Sequence, residues 1–398
     1  MSHVWKGSAV TRLLPTPEAV DLLALVEDVA RRELAPRAAT AEADGDFPRD
    51  AFVMLGELGI LGLPFDAAHG GAEQPYEVTL QVLEELARAW MTIGVSVSVH
   101  YLSCFGLANY GTPEQQDRWL PDMVGGALLG AYCLSEPHSG SDAAALVTRA
   151  ERTDTGYVVN GTKAWITHGG VADFYSAMVR TSDDGPRGIS CLLVEAGTPG
   201  LTSAPPEHKM AANASPTAQM IFDDVRVPAD RLLGAEGGGF RIALAALDAG
   251  RLGIAACAVG LAQAALDAAV AYSATRQQFG RSIGEFQGVA FMLADMATAV
   301  AAARALYLDA ARLKDAGLPF GRPAAMAKLA ATDAAMKVTT DAIQVLGGAG
   351  YTQDFPVERY FREAKALQIV EGTNQIQRMV IGRALQGEHA AAAGRGPA

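Results

Sequence analysis

The spacing of apolar residues changes twice along this chain, and those changes constrain its fold more than any motif does. Up to about Gly125 the period is helical. Thr16-Pro17-Glu18 opens a helix on a proline-tolerant first turn, with Leu22, Leu23, Val26, Val29 and Ala30 following at helical spacing. Phe47-Pro48 starts another helix, with Phe52, Leu55, Leu58 and Ile60 on its apolar side, and the pattern resumes at Tyr76. Then short strand-like runs take over, among them Ala131 to Ser135, Tyr157 to Val159, Lys163 to Ile166, Phe174 to Val179 and Ile189 to Val194. Asn160-Gly161 between two such runs predicts a hairpin. From Gly239 long helical periods return, one closed by Gly347-Gly348. The expected fold class is mostly α with a central β domain. Its parts are an N-terminal helical domain (1–125), an antiparallel, barrel-like middle domain (126–234), a C-terminal bundle of four or more helices (235–386) and an unstructured tail (387–398).

Composition narrows the function. A net charge of −12 argues against a nucleic-acid surface. Cys104, Cys133, Cys191 and Cys257 form no CxxC pair, and the seven histidines form no HExxH, which argues against a metal site and for a reducing, cytoplasmic setting. The uncharged run from Met91 to Pro113 contains Ser, Asn, Gly and His and reads as a buried helix, not a membrane span. Gly56, Gly59 and Gly62 follow no strand, so they read as close packing and a helix stop. Neither a P-loop nor a strand–GxGxxG–helix unit exists.

Several stretches can carry chemistry. Glu371 follows apolar Ile369 and Val370 and precedes flexible Gly372, just before a helix whose Asn374 and Gln377 resemble a capping box. A carboxylate there is a candidate general base at an apolar wall, or a plain complement to the helix dipole. Tyr132 to Ala145, YCLSEPHSGSDAAA, is an ordinary loop or an open backbone that presents N–H and O–H groups to a phosphate or a polar ring edge. Trp165 and Thr167 share a strand face suited to a flat heterocycle, although a tryptophan on a sheet is commonly core. Asp248 and Arg251 share a helix face, as a surface ion pair or as a ligand contact. Arg276 to Gly280, RQQFG, caps a helix or holds a diphosphate.

Taken in order, YCLSEPHSGSD, NGTKAWIT, LDAGR, RQQFG, QVLGGAGY and IVEGTNQIQR closely resemble the acyl-CoA dehydrogenase family over essentially the whole chain. The resemblance implies FAD as cofactor, an acyl-CoA substrate, a homotetramer and electron-transferring flavoprotein as partner. It implies that Glu371 removes the α-proton, with its own backbone N–H donating to the thioester oxygen. It implies that Tyr132, Leu134, Ser135, Ser141, Trp165 and Thr167 line the flavin, with Thr373 and Gln375 as further contacts. Arg276, Phe279, Gln287, Gln344, Gly347 and Gly348 match positions that reach a neighbouring subunit's FAD. Ser141, Asp248, Arg251 and Gly372 match the substrate side.

Some branches of that family carry the base just before the arginine of LDAGR. Here that position is Gly250, so Glu371 is the candidate. LDAGRLGIA and AMAKLAATDAA look most like the short-chain, butyryl-type branch. The stretch from Val95 to Cys104 contains no Arg or Lys, which argues against a dicarboxylyl substrate held from that helix. His138, Phe286 and the MAANASP loop depart from the family pattern. An oxidase or flavin monooxygenase of the same fold, using oxygen, is the alternative reading.

Overall fold

The computed structural model describes residues 10 and 12–392. Thr16 caps the first helix as its spacing predicts: its hydroxyl accepts the Ala19 N–H at 3.2 Å ahead of α1, Pro17–Val29. A π turn leads into α2, Ala35–Asp44, and then come α3, Arg49–Glu57, α4, Tyr76–Ala89, α5, Met91–Tyr110, and α6, Pro113–Val124. A Cβ on Gly56 would fall 2.5 Å from the Gly125 carbonyl, so the glycine run serves close packing.

The middle unit has eight strands: β1, Gly130–Cys133, β2, Arg149–Arg152, β3, Gly156–Thr167, β4, Phe174–Arg180, β5, Ile189–Glu195, β6, Leu201–Ser203, β7, Thr217–Pro228, and β8, Leu232–Leu233. They form two halves, β1-β4-β5-β8 and β2-β3-β7-β6, joined at Arg149 and Arg180. Two expectations are corrected. The sheet is not wholly antiparallel, because β1 runs parallel to β4. Asn160-Gly161 makes no hairpin, because it lies inside the continuous strand β3 at a register shift against β7. Gly161 is needed there for close approach, since a Cβ would meet the Thr148 hydroxyl at 2.6 Å.

The C-terminal unit begins with α7, Gly239–Thr275, and a short ribbon, β9, Gln277–Gln278, with β10, Arg281–Ser282. After it come α8, Gln287–Asp315, α9, Gly321–Leu346, α10, Val357–Leu367, and α11, Asn374–Ala392. The unstructured tail expected from 387 is corrected as far as 392, where α11 continues; 393–398 lie outside the described residues.

Small residues let α7 pass close to the N-terminal helices. A Cβ on Gly260 would lie 2.1 Å from the Glu84 carbonyl of α4, and one on Gly253 would lie 2.1 Å from the Ser98 hydroxyl of α5. Glu84 itself is buried and meets Arg12 at 3.0 Å, Arg304 at 2.9 Å and the Tyr307 hydroxyl, so three segments share one neutralised charge. Three helices, α5, α7 and α8, are long and apolar enough to cross a membrane. The first two are mostly buried in protein, and α8 leaves Phe291 and Leu306 exposed.

Candidate active site

Glu371 stands on the turn between α10 and α11, on an unusual backbone. Its φ is 51° and that of Gly372 is 90°, two consecutive left-handed residues. Only glycine adopts that region freely, so the glutamate is held there by its surroundings. The holding groups come from α9 and α11. The Lys328 ammonium donates to the Gly372 carbonyl and to Asn374 Oδ1, both at 3.0 Å, and Gln377 Nε2 donates to the Gly372 carbonyl at 2.8 Å. Asn374 Nδ2 in turn donates to Asp333 at 2.7 Å.

The capping box expected at Asn374 is corrected. Thr373 is the cap, accepting the Ile376 N–H at 3.3 Å, and Asn374 turns inward to Lys328 and Thr332. Ile369 and Val370 face outward, so they do not wall the carboxylate. Its wall comes from elsewhere. The carboxylate lies over Gly250 of α7, with Leu102 of α5 beside it: a Cβ on Gly250 would be 2.0 Å from Glu371 Oε2 and 3.3 Å from Leu102 Cδ1.

Both carboxylate oxygens are buried and have no hydrogen-bond partner among the described residues. Burial pushes the group up to about 7, and the charges of Lys328 and Arg251 pull the other way. No described residue accepts a hydrogen bond from the N–H groups of Glu371 or Gly372. An unpartnered carboxylate poised near neutrality, beside free backbone donors, can take a proton from carbon while the donors stabilise the oxygen that gains charge.

The β domain joins part of the stretch expected to line the flavin, because the loop after β1 is tied to β3 at Leu134 and Ser135. Tyr132 lies on β1, and its hydroxyl donates to the Ala243 carbonyl of α7 at 3.4 Å. Leu134 is buried, its carbonyl held by Lys163 Nζ at 3.1 Å, and the Ser135 carbonyl accepts the Ala164 N–H at 2.9 Å. Ser141 is exposed. Trp165 sits at a register shift in β3, with φ 62° and 62% of its surface open. A tryptophan in left-handed backbone and this exposed offers a bare aromatic face, with half-buried Thr167 two residues on.

Beneath this loop is an ion pair that the sequence reading did not single out. Glu136 accepts from Lys163 Nζ at 2.8 Å and from the Val147 and Thr148 N–H groups at 2.7 and 2.9 Å. Lys163 is fully buried, so its pairing fixes the loop against β3. A lysine inside an alternating strand was its only sequence signal.

On α7, Arg251 donates to Asp248, and Asp248 borders the start of α9, where a Cβ on Gly321 would be 3.2 Å from its Oδ2. Gln375 is exposed, and Gly372 has Gln377 Nε2 where its Cβ would go, at 2.8 Å. Arg276, Phe279, Gln287, Gln344, Gly347 and Gly348 are all exposed, at the ends of α7, α8 and α9. Phe279 is 94% open at φ 52°. Within one chain, none of these six joins the hydrogen bonds around the Glu371 turn among the described residues.

Similarity to known proteins extends over most of the chain. Three family profiles match in succession: "Acyl-CoA dehydrogenase, N-terminal domain" over 16–127, "middle domain" over 131–225 and "C-terminal domain" over 237–386. An acyl-CoA dehydrogenase of Bacillus subtilis is 45% identical over 374 residues, which is 94% of this chain and 99% of the relative. The solved butyryl-CoA dehydrogenase of Megasphaera elsdenii superposes with a TM-score of 0.92 at 40% identity, covering 94% of this chain and all (100%) of that one. A chain in the solved structure of the electron transferring flavoprotein of Acidaminococcus fermentans superposes with a TM-score of 0.92 at 42% identity, covering 94% and 99%.

Proposed function

This chain belongs to the acyl-CoA dehydrogenase family, and from that membership we propose that it converts a short-chain saturated acyl-CoA to the trans-2-enoyl-CoA with Glu371 as base. One observation carries the reading: a buried carboxylate without a partner, pushed up to about 7, aimed across Gly250 beside free backbone N–H groups. Nothing in a storage or scaffold role calls for that.

The residues present fit FAD. Trp165 offers an exposed indole, Thr167 lies on the same strand, and the loop after Tyr132 is anchored by Glu136 and Lys163 with its outer side exposed at Ser141. Tyr132, Ser135, Trp165 and Thr167 would hold the flavin, which when bound accepts a hydride from the β-carbon. The protein's own work is positional and protonic. Arg251 and Asp248 receive the carrier part of the thioester, the Glu371 N–H donates to its oxygen, and the Glu371 carboxylate takes the α-proton. Alignment of these groups lowers the entropic part of the barrier.

Short-chain specificity draws support from the likeness to butyryl-CoA dehydrogenase. The likeness to a chain in the electron transferring flavoprotein structure supports that protein class as electron acceptor. Exposed Arg276 and Phe279 support assembly into a tetramer, and the buried free cysteines support a cytoplasmic setting.

Anaerobic titration with saturated acyl-CoAs tests the proposal. The yellow protein bleaches with short chains, and Glu371→Gln keeps its colour and its ligand-induced spectral shift while turnover falls by about 10³-fold or more. Retained turnover would remove Glu371 from its role. Rapid reoxidation by air without a partner protein would favour the oxygen-using alternative.

A further inference from the structure

No side chain holds the carboxylate of Glu371, since both of its oxygens lack a hydrogen-bond partner among the described residues. What aims it is the backbone of its turn and the packing over Gly250. That turn leaves α10 at Gln368 and enters α11 at Asn374, and it carries two consecutive left-handed residues, one of them not glycine. Such a conformation persists where the surrounding groups over-determine it. A backbone bond spans the turn, from the Asn374 N–H to the Gln368 carbonyl at 3.0 Å.

Both ends of the turn also converge on a single carboxylate, that of Asp333 on α9. Its Oδ1 accepts from Gln368 Nε2 and from Asn374 Nδ2, each at 2.7 Å. The two amides are oriented alike. Lys365 donates to Gln368 Oε1 at 2.9 Å and Lys328 to Asn374 Oδ1 at 3.0 Å, so each amide has a cation at its oxygen and Asp333 at its nitrogen. An ammonium can only donate and an ionised carboxylate can only accept, so neither amide can turn over without losing both partners. A hydrogen-bonded chain thus runs from Lys365 through Gln368, Asp333 and Asn374 to Lys328. It ends where Lys328 donates to the Gly372 carbonyl, next to the base.

The second oxygen of Asp333 faces outward. Oδ2 accepts from Arg378 Nη2 at 3.2 Å, with the arginine side chain 56% exposed and that of Asp333 41% exposed. Ion pairs this wet contribute little. A surface pair with Arg378 therefore does not account for the two shorter bonds to the turn.

We propose that Asp333 is a positioning residue for the reaction, acting on Glu371 through Gln368 and Asn374 by fixing the span of the turn that carries the base. The inference rests on the dehydrogenation reading and adds a residue to its machinery. Because Oδ1 serves both amides, a neutral amide suffices at this position: in Asp333→Asn the oxygen still accepts from Gln368 and Asn374, and Arg378 turns to water. Asp333→Ala removes the acceptor common to both ends.

The test uses the purified holoenzyme and its Asp333→Ala and Asp333→Asn variants, with the saturated acyl-CoA that bleaches the wild type best and a dye as electron acceptor. Asp333→Ala should lower kcat and the anaerobic bleaching rate about tenfold to a hundredfold, as for a reacting group displaced by up to about an ångström, with KM within about twofold. Its flavin content should not change. Asp333→Asn should keep kcat within about threefold of the wild type. Hydrogen exchange gives a readout apart from turnover: peptides covering 368–378 should exchange faster in Asp333→Ala and at the wild-type rate in Asp333→Asn. An unchanged kcat in Asp333→Ala overturns the inference alone. So does a loss shared equally by the two variants, or one matched by falls in flavin content and Tm, because Asp333 then serves charge balance or the fold. A wild type that no saturated thioester bleaches removes the dehydrogenation reading itself, and this inference with it.

Discussion

Oε2 of Glu371 occupies the space that a side chain on Gly250 would need, with only 2.0 Å between it and an ideal Cβ. The proposed base at 371 and a side chain at 250 are thus mutually exclusive in this chain: filling one position displaces the other. Gly250→Ala forces the carboxylate aside by more than a hydrogen-bond tolerance, because α7 is packed on α4 and α5 and cannot retreat. Turnover should fall by about 10²-fold, as expected when a reacting group is misplaced by roughly an ångström. Flavin content and acyl-CoA binding should change little, and steady-state kinetics with the flavin spectrum checks both.

Lys328 and Glu371 form a coupled pair that should shape the pH profile. In its proposed role as base Glu371 must be ionised, so kcat/KM should rise with pH through about 7. Burial pulls Lys328 down to about 8 while the Glu371 charge pulls it up, and its ammonium is the charged one of the two donors to the Gly372 carbonyl. Above that value the turn loses a charged donor and activity should decline, giving a bell whose two limbs belong to the pair. Lys328→Met removes a charge that lowers the Glu371 pKa, so the rising limb should move to higher pH and the falling limb should vanish. A variant with an unchanged profile would leave Lys328 a purely structural residue.

What the sequence made legible was whatever depends on local spacing. Thr16 and Pro17 marked a true helix start, and Asp248 and Arg251 do meet across one turn of α7. Features set by distant packing were not legible. Gly161 looked like a turn residue, yet it is there because Thr148 of a neighbouring segment comes within 2.6 Å of where its Cβ would be. Asn374 looked like a cap, yet a lysine far back in the chain draws it inward. Lys328 carried one signal that could have been read. It falls on the buried stripe of Ala324, Ala327, Ala331 and Ala335, where a lysine needs a reason. Nothing local says that Ile369 and Val370 face out while Glu371 faces in, because that depends on a left-handed residue that only the assembled site enforces.

The exposed groups at the ends of α7 and α8 make a further prediction about assembly. Arg276 and Phe279 project from the ribbon after α7, and Phe279 also sits in left-handed backbone. Such exposure fits residues that complete a neighbouring subunit's site. Arg276→Ala should therefore lower FAD content per chain while far-ultraviolet circular dichroism stays unchanged. Dialysis followed by absorbance and light scattering gives the result. Full flavin retention with an unaltered oligomer would confine Arg276 to the surface of α7.

Glu363 supplies a stability prediction independent of catalysis. It is buried on α10, neither carboxylate oxygen has a hydrogen-bond partner among the described residues, and Arg359 stands 3.4 Å away. Burial pushes it from 4.5 up to about 8; Arg359 and Arg362 lower it, and Glu42 and Glu358 raise it. The folded protein therefore keeps a proton that the unfolded chain releases, and folding takes up a proton between those two values. Stability from this group is fully present below about 4.5 and drains away as pH rises to about 8. Glu363→Gln cannot ionise, so at about pH 9 its Tm should exceed that of the wild type by roughly 2 °C or more, with the two converging near pH 5. Scanning calorimetry across that range decides it. A wild type that is more stable at the alkaline end would mean that the Arg359 pair outweighs the cost of the buried charge.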